Sequence, residues 1–142
     1  MNGEFKRGEI YYADLPEELV GSEQAGIRPV VIIQTKRLND TSTNVIFAII
    51  TSKTKRLDLP CHYLLPKMNG LPKRSMVEGE HVHTMDKSRL GEYCCTLSER
   101  VMKYVDRAVR AAIKMEKSLR NKRKHRQKKK SRMQKSKKLA FP

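Results

Sequence analysis

The sequence predicts a small, mainly β protein in which antiparallel strands form a barrel or a curled sheet and an α-helix follows at the C-terminal end. Three observations support this class. Short runs rich in β-branched and aromatic residues occupy the N-terminal part of the chain. Turn-forming residues separate these runs, and one long amphipathic pattern follows the last of them. Strands first and a helix last, with short connections, are typical of such a fold.

The first strands are the clearest. Residues 9–15 are rich in β-forming side chains and are followed by Pro16, which ends the strand. Residues 16–28 are predicted to be a loop. The continuous apolar run at 30–34 predicts a strand buried on both faces, and residues 44–51 predict a second one.

The next elements are shorter. Residues 37–42 read as a turn, residues 61–65 as a short strand, and the Asn69-Gly70 pair as a tight turn. Residues 75–85 form another predicted strand. Alternation in this strand places His81, His83 and Met85 on one face and Glu80, Val82 and Thr84 on the other.

One long helix is predicted next. Thr96 and Glu99 fit a capping box as the N-cap and N3 residues. The apolar stripe fades after Ile113. The stripe has helical spacing and consists of Leu97, Val101, Val105, Ala108, Val109 and Ala112.

Charge divides the chain into two parts. Its 142 residues include 31 Lys or Arg and 15 Asp or Glu, a formal charge of +16. Residues 114–142 hold 14 of the basic residues and one acidic residue, so nearly all of the excess lies there. We therefore expect a folded domain at 1–113 and a basic extension at 114–142, either disordered or an extended helix.

Several classes of protein are disfavoured. The longest apolar run, residues 45–50, is far shorter than the roughly 18 residues that a membrane-spanning helix needs. The N-terminus lacks the apolar region of a secretory signal. The three cysteines, Cys61, Cys94 and Cys95, are odd in number and form no C-x-x-C motif, which argues against a disulfide framework and against a zinc site and favours a reducing cytoplasm.

Generic catalytic motifs are absent from the sequence, including the Walker loop, the G-x-S-x-G elbow and H-E-x-x-H. Three polar segments instead punctuate the predicted strands. They are Ser22–Pro29 before one buried strand, Thr51–Lys53 after the next, and Glu80–Lys87.

Together with the Arg7–Tyr11 opening, these segments resemble the MazF/PemK/Kid family of toxins over roughly residues 6–113. The most specific part is E-Q-x-G-x-R-P-V, which begins at Glu23, followed by I-T-S, which ends at Ser52. The resemblance implies an SH3-like or CcdB-like small β-barrel that works as a homodimer. It also implies a metal-independent endoribonuclease, without a cofactor, that cuts single-stranded mRNA in the bacterial cytoplasm, leaves 2′,3′-cyclic phosphate and 5′-OH ends, and is inhibited by a cognate antitoxin.

The same resemblance assigns the catalytic residues. Arg28 matches the family arginine and would clamp the phosphate with its guanidinium, which stays charged. Thr51 matches the family threonine and would donate a hydrogen bond to a phosphate oxygen. Glu23 matches the loop glutamate and would order the loop or orient Arg28. The substrate-binding residues would be Gln24, Ser52, Lys53, Glu80, His81 and His83.

Two positions depart from the family pattern. The first is Glu78. One branch of the family has an aspartate base at the position of Glu80 and an arginine paired with it at the position of Glu78, where this chain has an acid instead. His83 stands where most members have arginine, so a group with an ordinary pKa of about 6.5 replaces a permanent cation. We expect that His83, with or without His81, makes the activity pH-dependent.

Other interpretations of these residues remain open at this point. Arg28 could form a surface ion pair with Glu23, and Thr51 and Ser52 could cap a turn. Glu80 could be a structural hydrogen-bond acceptor rather than a base. His62 shows no pattern that suggests a role. The basic extension could bind RNA, the ribosome or an acidic antitoxin, or have no specific role.

Two other functions compete with the nuclease. One is a non-catalytic RNA-binding protein with this fold, against which Arg28 and Thr51 argue. The other is a gyrase-inhibiting toxin of the same fold, which would act on a DNA-binding enzyme. Toxins of that class typically lack the segment that begins at Glu23.

Overall fold

The computed structural model describes residues 4–113 and 126–135. Residues 126–135 form a helix whose side chains are all exposed. The rest of the predicted basic extension lies outside the described residues. The elements of the domain are β1 (Glu9–Leu15), α1 (Glu17–Val20), β2 (Gly26–Ile32), α2 (Lys36–Thr41), β3 (Asn44–Thr51), β4 (His62–Leu64), β5 (Met76–Asp86), a short 3-10 helix (Lys87–Arg89), β6 (Leu90–Thr96) and α3 (Glu99–Ile113).

All six strands belong to one sheet with the order β4-β5-β3-β2-β1-β6. Every neighbouring pair is antiparallel. The mainly β fold with a helix at its C-terminal end is therefore confirmed. Within the described residues, no helix has the length and apolar character required to cross a bilayer.

Both faces of the central strands are buried, which explains their continuous apolar runs. On one face, Val31 and Ile50 pack with Met102 and Val105 of α3. On the other face, Val30, Ile49 and further apolar side chains form a second cluster, which Phe5, Tyr11, Val20 and Leu90 border. Each fully buried Val or Ile contributes about 1.5–3 kcal/mol to the stability of the fold.

The helix α3 packs closely against the sheet at Gly79 of β5. A Cβ atom there would lie 2.4 Å from the carbonyl oxygen of Ala108, so the backbones meet without an intervening side chain. Arg7 ties the start of β1 to the same helix, because its guanidinium donates to the carboxylate of Asp106 and to the carbonyl of Ile33. The sheet and the helix thus form one packed unit.

Four local predictions differ from the structure. The predicted loop 16–28 contains the short helix α1 and the first residues of β2, and the predicted turn 37–42 is the helix α2. The latter is anchored because the buried Asn39 side chain accepts a hydrogen bond from Gln34 at 3.0 Å. The strand β6 was not predicted.

The fourth difference is the cap of α3. Ser98, rather than Thr96, caps the helix, since its hydroxyl accepts the N–H of Val101 at 3.2 Å. Thr96 is the last residue of β6, and its hydroxyl lies 2.5 Å from the hydroxyl of Tyr93. The sheet therefore keeps Thr96 out of the capping position.

Candidate active site

A cavity of about 230 Å³ opens at one end of the sheet. It brings together residues from the loop before β2, the start of β2, the end of β3, the loop after β3, β4 and the start of β5. The lining residues are Glu23, Gln24, Arg28, Thr51, Lys53, Lys55, His62, Met76, Glu78 and Glu80.

The strand order explains this convergence. β3 is antiparallel to both β2 and β5, so the end of β3 lies beside the start of each. Thr51 is paired with Met76, and His62 of β4 is paired with Glu78. Polar residues that are up to 57 positions apart in the chain therefore lie at the same end of the sheet.

Arg28, the third residue of β2, is held by the backbone of the loop that precedes this strand. Its Nη2 donates to the carbonyl oxygen of Glu23 at 2.6 Å, and its Nε donates weakly to the carbonyl oxygen of Ala25 at 3.4 Å. The contact with Glu23 is made to the backbone and not to the carboxylate, so the structure does not contain the surface ion pair that the sequence left open. A guanidinium has five N–H donors, and at least three of them remain for a ligand.

Thr51 lies on the wall of the same cavity with 5% of its surface exposed. Its Oγ1 accepts the backbone N–H of Lys53 at 3.1 Å. The hydroxyl thus caps a turn, as one interpretation of the sequence suggested. It still has its own proton to donate, so the cap and a contact with phosphate are compatible.

Glu78 is the buried acid of the cavity, with 7% of its surface exposed. It accepts hydrogen bonds from Nε2 of Gln24 at 3.1 and 3.3 Å and lies 3.1 Å from Nε2 of His81. This network fixes Gln24, whose Oε1 is buried without a hydrogen-bond partner among the described residues. A buried polar atom of this kind is commonly satisfied by water or by a ligand.

Glu80 contacts two side chains to which the sequence assigned no role. Nε2 of His62 lies 2.6 Å from Oε2 of Glu80, and the Cys61 thiol donates to the same oxygen at 3.4 Å. Burial lowers the pKa of His62, but the hydrogen bonds to Glu80 and to the carbonyls of Lys55 and Arg56 outweigh it, and the net pKa is raised above its usual range. Burial, followed by the contact with Glu80, raises the pKa of the Cys61 thiol.

The sequence alone could not show that His62 contacts Glu80. The two residues are 18 positions apart in the chain. They meet because β4 pairs with β5, and the connection between these strands, residues 65–75, is long and has no regular secondary structure.

The structure does not bring all of the other predicted substrate-binding residues into this cavity. Lys53 lines it. Ser52 lines an adjacent cavity of about 360 Å³, to which Arg28 also contributes. His83 lines neither cavity, and burial, followed by the charge of His81, lowers its pKa. The pH dependence expected from His83 stays a prediction.

Comparisons with known proteins identify the family. Residues 6–113 match the family model described as PemK-like, MazF-like toxin of type II toxin-antitoxin system. The chain belongs to this family. It is 43% identical over 105 residues to the Endoribonuclease MazF of Staphylococcus saprophyticus, an alignment that covers 73% of this chain and 87% of that protein.

Solved structures of the MazF type share the fold. MazF from Deinococcus radiodurans superposes with a TM-score of 0.67 at 21% identity, over 80% of this chain and all of that one. A mycobacterial endoribonuclease in complex with its cognate antitoxin superposes with a TM-score of 0.65 at 20% identity, over 78% of this chain and 96% of that one. The small β-barrel-like fold expected for a PemK/MazF toxin is confirmed.

Proposed function

We propose that this chain cuts single-stranded mRNA by attack of a ribose 2′-OH on the adjacent phosphorus, in the cavity that contains Arg28 and Thr51. The chain is an endoribonuclease toxin of a type II toxin–antitoxin system. The observation that supports the mechanism is that both residues line the same cavity. A phosphate placed between them would meet a fixed cation and a hydroxyl donor.

The reaction needs no external nucleophile. The bond between the 2′-oxygen and phosphorus forms while the bond between phosphorus and the 5′-oxygen breaks. A base receives the 2′-OH proton, and the leaving 5′-oxygen gains one. The products are a 2′,3′-cyclic phosphate and a 5′-OH, and the protein has to stabilise the extra negative charge on the pentacoordinate phosphorus.

The proposed roles follow from the contacts. Arg28 binds two phosphate oxygens with the donors that the preceding loop leaves free, and the Glu23 carbonyl fixes its orientation. Thr51 donates its hydroxyl proton to a phosphate oxygen. Ser52 and Lys53, directly after it, are positioned to bind the neighbouring phosphate.

Glu80 supplies a carboxylate in the same cavity. We propose that it accepts a hydrogen bond from the ribose hydroxyl, which makes it both a substrate-binding residue and the best placed acceptor for the 2′-OH proton. His62 then acts as a positioning residue, because its contact of 2.6 Å fixes the orientation of Glu80.

The decisive experiment incubates the purified protein in EDTA with a long single-stranded RNA and maps the ends. The matched substrate carries 2′-deoxynucleotides at the cut sites. We expect discrete cuts with cyclic phosphate ends in the RNA and none at the deoxy positions. Cleavage that persists at deoxy positions would contradict the mechanism. Binding without cuts would favour the non-catalytic alternative. Loss of supercoiling in a parallel assay with gyrase would favour the gyrase-inhibiting alternative.

The proposed partners follow from the family. They are single-stranded RNA, a cognate antitoxin that blocks the RNA-binding groove, and a second copy of the chain in a homodimer. We place the protein in the bacterial cytoplasm, where mRNA is available. The basic extension at 114–142 is proposed to add binding energy for RNA or for the ribosome.

A further inference from the structure

Three side chains with different metal-binding atoms meet beside the cavity. The Cys61 thiol lies 3.4 Å from Oε2 of Glu80, and Nε2 of His62 lies 2.6 Å from the same oxygen. One potential ligand atom from each of the three residues lies within 4.8 Å of the other two. Sulfur, imidazole nitrogen and carboxylate oxygen are the three ligand types that zinc takes in proteins.

The imidazole of His62 is oriented for metal binding. Its Nδ1 lies 2.9 Å from the carbonyl oxygen of Lys55 and 3.0 Å from that of Arg56. Because both neighbours are acceptors, Nδ1 carries a proton, and Nε2 is the nitrogen that faces Glu80. In metal sites, a ligating histidine commonly donates its other N–H to a backbone carbonyl in this way.

Two of the three distances between ligand atoms can be compared directly with a zinc site, and the third, between the thiol and the imidazole, lies within 4.8 Å. Two ligands of a tetrahedral zinc ion lie about 3.4–3.6 Å apart, given metal–ligand bonds of about 2.0–2.3 Å. The distance between the thiol and the carboxylate already matches, whereas the His62–Glu80 contact has to open by about 0.8 Å. This movement falls to the Glu80 side chain, which is 34% exposed, rather than to that of His62, which is 9% exposed.

The backbone under the cluster is held by the sheet. The N–H of Gly79 donates to the carbonyl oxygen of Cys61 at 2.7 Å, and His62 is paired with Glu78 in the β4–β5 ladder. The cavity lining is also balanced in charge, since Glu23, Glu78 and Glu80 oppose Arg28, Lys53 and Lys55. A divalent cation therefore does not enter a purely basic environment.

We propose that Cys61, His62 and Glu80 bind a Zn²⁺ ion and that the bound ion inhibits RNA cleavage. Binding releases to solvent the thiol proton of Cys61 and the proton shared by His62 and Glu80. The inhibitory part rests on the proposed function, because it removes Glu80 from the ribose hydroxyl. Three protein ligands also leave a fourth zinc position open, which water or a phosphate oxygen can occupy.

The first test measures binding without activity. The full chain, freed of metal, is titrated with Co²⁺ and then with Zn²⁺. We expect one equivalent of Co²⁺ to produce thiolate charge-transfer absorption and tetrahedral d–d bands, and Zn²⁺ to abolish both. Cys61→Ser should remove the charge-transfer band and weaken Zn²⁺ binding about tenfold or more. Cys94→Ser, which alters a half-buried thiol elsewhere, is the matched control and should change neither.

Three outcomes of the titration would overturn the site. They are an unchanged Co²⁺ spectrum in Cys61→Ser, loss of the band in Cys94→Ser, and loss of Zn²⁺ binding in His81→Gln. The last would place the ion on the neighbouring group of Glu78, Glu80 and His81 instead. Circular dichroism of each variant confirms that the fold is retained.

The second test measures RNA cleavage under three conditions. They are EDTA alone, one equivalent of Zn²⁺ after EDTA has been removed, and EDTA added again. We expect Zn²⁺ to slow cleavage, EDTA to restore it, and Cys61→Ser to require about tenfold more Zn²⁺ for the same inhibition. Activation by Zn²⁺, or equal inhibition of Cys61→Ser, would overturn the inhibitory role. Absence of cleavage in EDTA would instead reject the proposed function, and the Co²⁺ spectrum would still test the metal site.

Discussion

Arg28 is held in one orientation by the backbone of its immediate neighbours. The carbonyl oxygens of Glu23 and Ala25 accept hydrogen bonds from one edge of the guanidinium, which limits its rotation and leaves the other donors free. A side chain that is already oriented loses less conformational entropy when it binds a phosphate. In the proposed role of Arg28, the loop would therefore contribute through its backbone rather than through the Glu23 carboxylate.

Arg28→Lys tests this arrangement. Lysine keeps the positive charge but loses the planar fork that binds two oxygens. We expect kcat for RNA cleavage to fall about a hundredfold or more, with an unchanged unfolding midpoint. The control is Arg37→Lys, an exposed arginine of α2, which should cleave at the wild-type rate. A fully active Arg28→Lys enzyme would contradict the proposed role.

His83 is expected to affect activity only in acid. Burial and the nearby His81 lower its pKa, so it is neutral at pH 7 and becomes charged below its usual range. His83→Gln should therefore keep the wild-type rate at neutral pH and flatten the acidic limb of the pH–rate profile. A profile with the same shape in both proteins would reject the pH dependence expected from this residue.

His62 and His83 should make opposite contributions to stability. The pKa of His62 is raised in the folded protein, so its contribution is complete below its ordinary pKa of about 6.5 and is lost as the pH rises through the raised value. The pKa of His83 is lowered in the folded protein, so the contribution of His83 to stability decreases as the pH falls.

Urea unfolding in EDTA at a series of pH values measures both effects. The stability lost in His62→Gln should be larger at acidic than at alkaline pH. His83→Gln serves as the matched control, and its difference from the wild type should change in the opposite direction. Parallel pH profiles for the two variants would contradict this assignment.

At the scale of elements, strand register decides which side chains meet. In the ladder between β3 and β5, Ala48 is paired with Val82 but Ile49 with Glu78, so residues 79–81 form an irregularity. It interrupts the simple alternation predicted for this strand. Glu78 and Glu80 both line the cavity as a result of the local geometry, and Gly79 between them packs against α3.

Gly79→Ala tests the contact between the sheet and α3. The added Cβ would meet the backbone of Ala108 at 2.4 Å, and backbone cannot rotate away as a side chain can. We expect the free energy of unfolding to fall by about 1–3 kcal/mol. Thr84→Ala, at an exposed position of the same strand, should change it by less than about 0.5 kcal/mol. Equal stability of both variants in urea titrations would contradict the close packing.

At the scale of the whole molecule, most of the excess positive charge lies in a part of the sequence that is different from the part that forms the cavity. The cavity lining is balanced, while residues 114–142 hold 14 Lys or Arg against one acid. Such an extension attracts polyanions without reading their sequence. We therefore expect the folded domain to choose the cleavage site and the extension to raise affinity.

Truncation after Lys117 tests this division, since it removes twelve basic residues. Binding of RNA should weaken at low salt, and the dependence of affinity on salt should become less steep, because fewer phosphates are neutralised. The cleavage sites should stay the same. A full-length control with a scrambled extension of identical composition should bind like the wild type. An altered recognition sequence in the truncated enzyme would reject the division.

The sequence by itself determined the class of fold, the central strands and the long helix, because continuous apolar runs and a helical stripe reflect burial that neighbours along the chain already specify. It also determined the family, through the segment that begins at Glu23. Only the tertiary structure decided that Ser98 caps α3, that residues 90–96 join the sheet beside β1, and that Cys61 and His62 reach Glu80. These contacts depend on strand register and on long connections, which place residues that are distant in the chain side by side and leave no local pattern in the sequence.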